Sequence, residues 1–93
     1  MEKIIWDYQT DCCYVCGTKF NLHTHHIFPG RNRKVSDEWN MTIKLCAYHH
    51  NMSNNGIHFD KELDLQVRQM AQREFEKRYG HEKFMKLIGR NYL

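Results

Sequence analysis

Cys13-x2-Cys16 and Cys46-x2-His49 are two short pairs of soft ligands that share one spacing and stand 29 residues apart. Two intervening residues let both side chains of one turn reach the same ion, and Cys and His build closed tetrahedral zinc sites. Four such ligands leave no open coordination position, so the site these pairs predict is a structural Zn2+. Cys12-x3-Cys16 offers a second register for the first pair. Cys13 is preferred because its spacing matches that of the second pair, which leaves Cys12 as a buried small residue or a spare thiol. Three of the four cysteines fall within five residues, an awkward arrangement for two disulfides and a common one for metal.

Five of the seven histidines precede Gly56. With His49 assigned to zinc, His25, His26 and His50 remain. If the ion pins the second pair beside the end of the stretch "LHTHH", the leftover imidazoles can converge. Neutral imidazole is both a metal ligand and a proton acceptor near neutral pH. Adjacent residues on a strand face opposite ways, so His25 and His26 meet only if the strand ends or bulges there. Pro29-Gly30 predicts an end. His23 shares a strand face with His25, as a partner behind the ligands or as solvent-facing decoration. His58 could extend the metal shell, although a place capping the long helix is the simpler reading, and His81 is assigned to the surface. Arg31, Arg33 and Lys34 concentrate charge in "PGRNRK". Read as a loop, this segment suits contacts to phosphates that position a nucleic acid without reading its bases.

The elements that must hold these residues are short at first. "TIKLC" alternates as a half-buried strand does, and a helix is expected to start just after Leu45-Cys46 and run towards "SNNG". Residues 20 to 56 thus read as strand, loop, strand, helix. From 60 to 79 the pattern becomes helical: Leu63, Val67, Met70, Ala71, Phe75 and Tyr79 form one apolar stripe. Asp60 suits its N-cap, Glu62 and Asp64 its first turn, Lys77 and Arg78 its last, and Gly80 its stop. A second helix, about 81 to 88, carries Phe84, Leu87 and Ile88 on one side. These helices are expected to complete the core, which uses up the apolar stripe and leaves no separate argument for a homodimer.

The totals set limits. The chain has 93 residues, 41% of them hydrophobic, and a formal charge of +3. That is one globular domain (1-93), a zinc-bearing part at about 10-58 followed by a helical part at about 60-89. A domain this small buries only about two-thirds of its unfolded surface, so a metal staple compensates for a thin core. No apolar run approaches the roughly 18 residues of a membrane span, and the first residues do not read as a secretory signal. The expectation is a cytoplasmic protein with no membrane partner.

"HHIFP" followed by "LCAYHHN" resembles the HNH nucleases, also called the ββα-metal nucleases, in their zinc-stapled form. The resemblance runs over residues 13 to 51 and has the two cysteine-led pairs, the His-Ile-x-Pro element and the Leu-Cys-x2-ligand-His element in the family's order. It implies an α+β fold, a treble-clef-like ββα-metal module followed by helices. It also implies a metal-dependent DNA endonuclease leaving 5′-phosphate and 3′-hydroxyl ends, in a bacterial or phage setting. By the same resemblance His26 matches the general base, and His25 and His50 match ligands of a catalytic divalent metal (Mg2+, Mn2+, Ni2+ or Zn2+). Asn51 matches the Asn that often follows. Two positions depart from the pattern. His49 replaces the usual cysteine, and Met41 stands where the bracing Asn belongs, with Asn40 one residue away. The alternative reading is an inactive zinc-stabilised nucleic-acid-binding module on the same fold.

Overall fold

The computed structural model describes residues 4–52 and 56–93, with no side-chain description for Asn51 and Met52. Its first element, β1 (Leu22–His26), pairs antiparallel with β2 (Thr42–Cys46) in a two-stranded sheet. Leu22 pairs with Cys46, Thr24 with Lys44 and His26 with Thr42. His25 pairs with Ile43 and His23 with Leu45. Paired residues share a face, so one face carries His23, His25, Ile43 and Leu45. Ile43 and Leu45 are buried there, and His25 is carried in with them at 4% exposure.

Between the strands the chain is helical, where the sequence read as a loop. A 3-10 turn (Gly30–Asn32) leads into α1 (Arg33–Glu38). Six residues are too few to show a 3.6-residue period, so packing sets this helix. The Ser36 side chain is fully buried, donating to Phe28 O at 2.9 Å and accepting from Phe28 N at 3.2 Å. Arg33 and Lys34 are thereby residues of a helix's first turn, with Arg31 just before it.

The second departure follows β2. The expected helix is, among the described residues, a single π-helical turn (Tyr48–Met52). By Ile57 the chain has turned back onto this turn. His49 O accepts from Ile57 N at 2.8 Å and His50 O from His58 N at 3.4 Å, so the returning chain takes bonds that a continuing helix would have used. Residues 53–55 of "SNNG" lie outside the described residues.

The C-terminal half follows its pattern. In α2 (Lys61–Tyr79) the Asp60 side chain accepts from Leu63 N at 3.0 Å, the N-cap that Asp was expected to supply. Gly80, at φ +88°, ends α2 and starts α3 (His81–Ile88), a backbone conformation that side-chain-bearing residues rarely adopt. Val67, Ala71 and Phe75 are buried, and Leu63 and Met70 pack against them. Tyr79 is 39% exposed, yet its ring stands 5.1 Å from Trp39 and 5.0 Å from Phe75. Trp6 joins this aromatic layer, its indole N–H donating to Trp39 O at 2.9 Å. Gln72, fully buried, donates to Asn91 Oδ1 at 2.7 Å and accepts from Tyr92 N at 2.8 Å, which fastens the C-terminal residues to α2. The result is a small α+β molecule. No helix among the described residues is long and apolar enough to cross a membrane.

Candidate metal centres

Two groups of metal-ligand side chains form in this fold. The first joins Cys13, Cys16, Cys46 and His49, whose ligand atoms all lie within 4.8 Å of one another. Cys13 comes from the turn before β1, held by Cys13 N donating to Thr18 O at 2.8 Å and Gly17 N donating to Cys13 O at 2.9 Å. Cys46 ends β2, and His49 follows on the π-helical turn. Two bonds of about 2.3 Å at a tetrahedral angle span about 3.8 Å. Cys16 Sγ and Cys46 Sγ are 3.8 Å apart, as are Cys13 Sγ and His49 Nδ1, while Cys46 Sγ and His49 Nδ1 are 3.2 Å apart. The donor set therefore fits a four-coordinate ion.

The first two thiols are shifted apart: Cys16 is raised, its bond from the Thr18 backbone outweighed by burial and the Cys13 and Cys46 sulfurs, and Cys13 is lowered. Burial alone would raise the Cys13 thiol, but backbone hydrogen bonds at Cys16, Cys46 and Val15 bring it down to about 6. It is poised to be a thiolate, the form that binds metal. The group contains Cys13 rather than Cys12. Of the two readings left for Cys12, burial does not hold: it is half-buried, a spare thiol with its Sγ 3.3 Å from the Thr10 hydroxyl. The chain direction that brings Cys13 inward turns its neighbour outward.

The second group joins His25, His50 and His58. β1 supplies His25, the π-helical turn His50, and the segment entering α2 His58. The backbone pairing of His50 O with His58 N sets the last two side by side, and their Nε2 atoms are 3.0 Å apart. That distance serves a hydrogen bond between a protonated and an unprotonated ring. It equally serves two adjacent ligands at a right angle around an ion with bonds of about 2.1 Å. His25 stands with its ring centre 5.5 Å from His50 and 5.4 Å from His58.

His25 Nε2 is buried and has no hydrogen-bond partner among the described residues. An orphaned buried nitrogen is costly, and a cation among these three rings would satisfy it. Burial first, then the nearby His50 and His58, pull the His25 imidazole down to about 4. Burial, then His58 and His23, lower His50 as well. Both rings are thus held neutral, with lone pairs to offer. His58 is exposed and does not cap α2, because Asp60 does. His23, whose role the sequence left open, has its Nδ1 3.0 Å from His50 Nδ1, behind the ligand ring.

His26 ends β1, and the chain turns away at Pro29-Gly30. His25 and His26 therefore border the same surface depression, together with His50, His58, Arg33 and Pro29. His26 Nε2 lies 2.7 Å from Asp37 Oδ1, a partner that the sequence reading missed because α1 was not foreseen. The spacing His26 to Asp37 carries no signal without that helix.

Asn40 lies elsewhere. At φ +52° its amide donates to Ile4 O at 2.7 Å, and Gln9 donates to Asn40 O at 2.8 Å. It braces the N-terminal segment against the start of β2, while Met41 is fully buried in the core. The side chain of Asn51 is outside the described residues. Arg31 and Lys34 are exposed beside Arg33, and Arg31 reaches towards the end of α3, where a Cβ at Gly89 would stand 3.8 Å from its Nη2. Comparison with protein-family models, curated proteins and solved structures finds no match to the chain.

Proposed function

We propose that this chain is a metal-dependent DNA endonuclease of the HNH type, with Zn2+ in the Cys13–Cys16–Cys46–His49 group and a catalytic divalent cation among His25, His50 and His58. On this reading the fold is a ββα-metal, treble-clef-like module in which the π-helical turn takes the place where a longer helix would start. The single observation that carries the proposal is the convergence of three imidazoles, one with a buried unpartnered Nε2, beside a fourth imidazole in one depression. A closed site with four ligands and an adjacent site with three is the division expected of a structural and a catalytic metal.

Each residue has a role on this reading. His25, His50 and His58 hold the cation, and His23 orients His50 from behind, as a ring nitrogen opposite a ligand usually requires. The cation, Mg2+, Mn2+, Ni2+ or Zn2+, supplies stabilisation of the charge that develops on the phosphate oxygens. His26 takes a proton from the attacking water, for which neutral imidazole is suited at working pH. Arg33 faces the depression, and with Arg31 and Lys34 it binds the DNA backbone. The three thiol ligands suit a reducing, cytoplasmic setting. A purely binding module has no use for His26 beside a three-histidine site.

The test is nicking of supercoiled plasmid by zinc-loaded protein with Mg2+, Mn2+ or Ni2+ added. Cleavage that depends on added cation is expected, with His26→Ala keeping its zinc and its fold while losing at least about a hundredfold in rate. Undiminished cleavage by His26→Ala, or none by the unaltered chain with any cation, contradicts the proposal.

A further inference from the structure

Asp37 has no part in either metal group, yet its Oδ1 is 2.7 Å from His26 Nε2. Stability does not require the contact. The Asp37 side chain is 60% exposed and that of His26 22%, and a pair so open to water contributes little to folding. The partner choice is also informative. Arg33 and Asp37 are four residues apart on α1 and so share a helix face, where such pairs commonly join. Among the described residues Asp37 instead meets His26, while Arg33 borders the depression that holds the imidazoles. One short helix thus supplies the carboxylate at His26 Nε2 and an arginine on the rim of the depression that His26 also lines.

An ionised carboxylate can only accept hydrogen bonds, and a neutral imidazole carries one donor and one acceptor nitrogen. With Asp37 at Nε2, that nitrogen bears the hydrogen and the lone pair falls on Nδ1. We propose that Asp37 is a positioning residue: it fixes the rotation and tautomer of His26 so that Nδ1 is the atom that receives the proton. This rests on the reading of His26 as the base. In the step so arranged, a water proton passes to Nδ1 and the water oxygen forms the new bond to phosphorus. The bond from phosphorus to the 3′ oxygen breaks, and that oxygen takes a proton from solvent. The doubly protonated ring keeps its Nε2–H bond to the carboxylate, which stabilises the positive charge it has acquired, the service a carboxylate behind a histidine performs in acyl transfer.

The experiment compares the unaltered chain with Asp37→Ala and Asp37→Asn, all zinc-loaded and labelled with 15N-histidine. Long-range proton–nitrogen correlation spectra give the tautomer of His26, and plasmid nicking with added Mg2+ or Mn2+ gives kcat and KM. The expected result is an Nε2–H ring in the unaltered chain and a mixture of tautomers in Asp37→Ala. With that should come a fall of about ten- to a hundredfold in kcat, the scale of a misaligned catalytic group, with KM within about twofold. Asp37→Asn, whose amide oxygen can still accept from Nε2–H, should fall between the two. An unchanged tautomer in Asp37→Ala overturns the proposal, and so does an unchanged kcat in a chain that nicks. If the unaltered chain does not nick, a tautomer that still follows Asp37 upholds the positioning contact while the nuclease reading alone fails.

Discussion

The Nε2 atoms of His50 and His58 stand 3.0 Å apart, although one residue lies on the π-helical turn and the other on the segment leading into α2. The backbone bond from His58 N to His50 O sets this separation, so the chain's return after β2 is part of the site. A helix continuing from β2 would carry the backbone past this position and lose the third imidazole. His58→Ala is therefore expected to weaken the second metal selectively. Calorimetric titration with Mn2+ or Ni2+ should show affinity reduced at least about tenfold, while zinc content stays at one per chain. Retained affinity for the second metal would exclude His58 as a ligand.

The closed group makes a different demand. Cys13 is 2% exposed and links the turn before β1 to the end of β2. Cys13→Ser should lose the structural ion and, with it, folding free energy of at least ~3 kcal/mol, because metal binding to such a site is coupled to folding. For a domain of this size that lowers Tm by about 12 °C or more. Thermal unfolding followed by circular dichroism, with metal analysis of the same samples, checks it. A variant that loses zinc and keeps its Tm would show that the apolar core suffices.

With zinc bound and the second site free of metal, His25 gives the fold a pH dependence of known sign. Its folded-state value, about 4, lies below the unfolded value of about 6.5. The folded state thus binds fewer protons between those limits. The stability is fully present above pH 6.5 and is lost as the pH falls towards 4, by at most ~3 kcal/mol. Urea unfolding of the unaltered chain and of His25→Leu should diverge progressively over that window and run parallel above pH 7. Parallel behaviour throughout would mean that the buried imidazole is not held neutral.

Arg31, Arg33 and Lys34 were legible as a basic cluster, but their setting was not. Arg31→Ala with Arg33→Ala should flatten the dependence of log K on log salt by about 1.8 for B-DNA, the release expected from two lost phosphate contacts. An unchanged slope, measured by fluorescence anisotropy, would make them solubilising charges only.

What the sequence made legible follows the range of the signal. The spacing of Cys13, Cys16, Cys46 and His49 is short and paired, and the structure brings all four together. The stripe from Leu63 to Phe75 spans several turns, and α2 forms with Asp60 as its cap. The failures are local elements fixed by distant partners. α1 depends on Ser36 bonding the Phe28 backbone, and the π-helical turn has its His49 and His50 carbonyls bonded by Ile57 and His58. Neither partner can be inferred from composition in the window itself. Asp37 goes unseen with α1, and for His58, read either as part of the metal shell or as a cap, the cap is the role that Asp60 already fills.

On the proposed reading His25, His50 and His58 share one cation next to His26. Crystals grown with zinc and Mn2+ test it most directly through anomalous scattering recorded at an energy for each metal. One peak should be bonded to Cys13, Cys16, Cys46 and His49, and a second should lie within about 2.3 Å of a ring nitrogen of His25, of His50 and of His58. A map with the first peak alone, and the three rings turned away from one another, would contradict it.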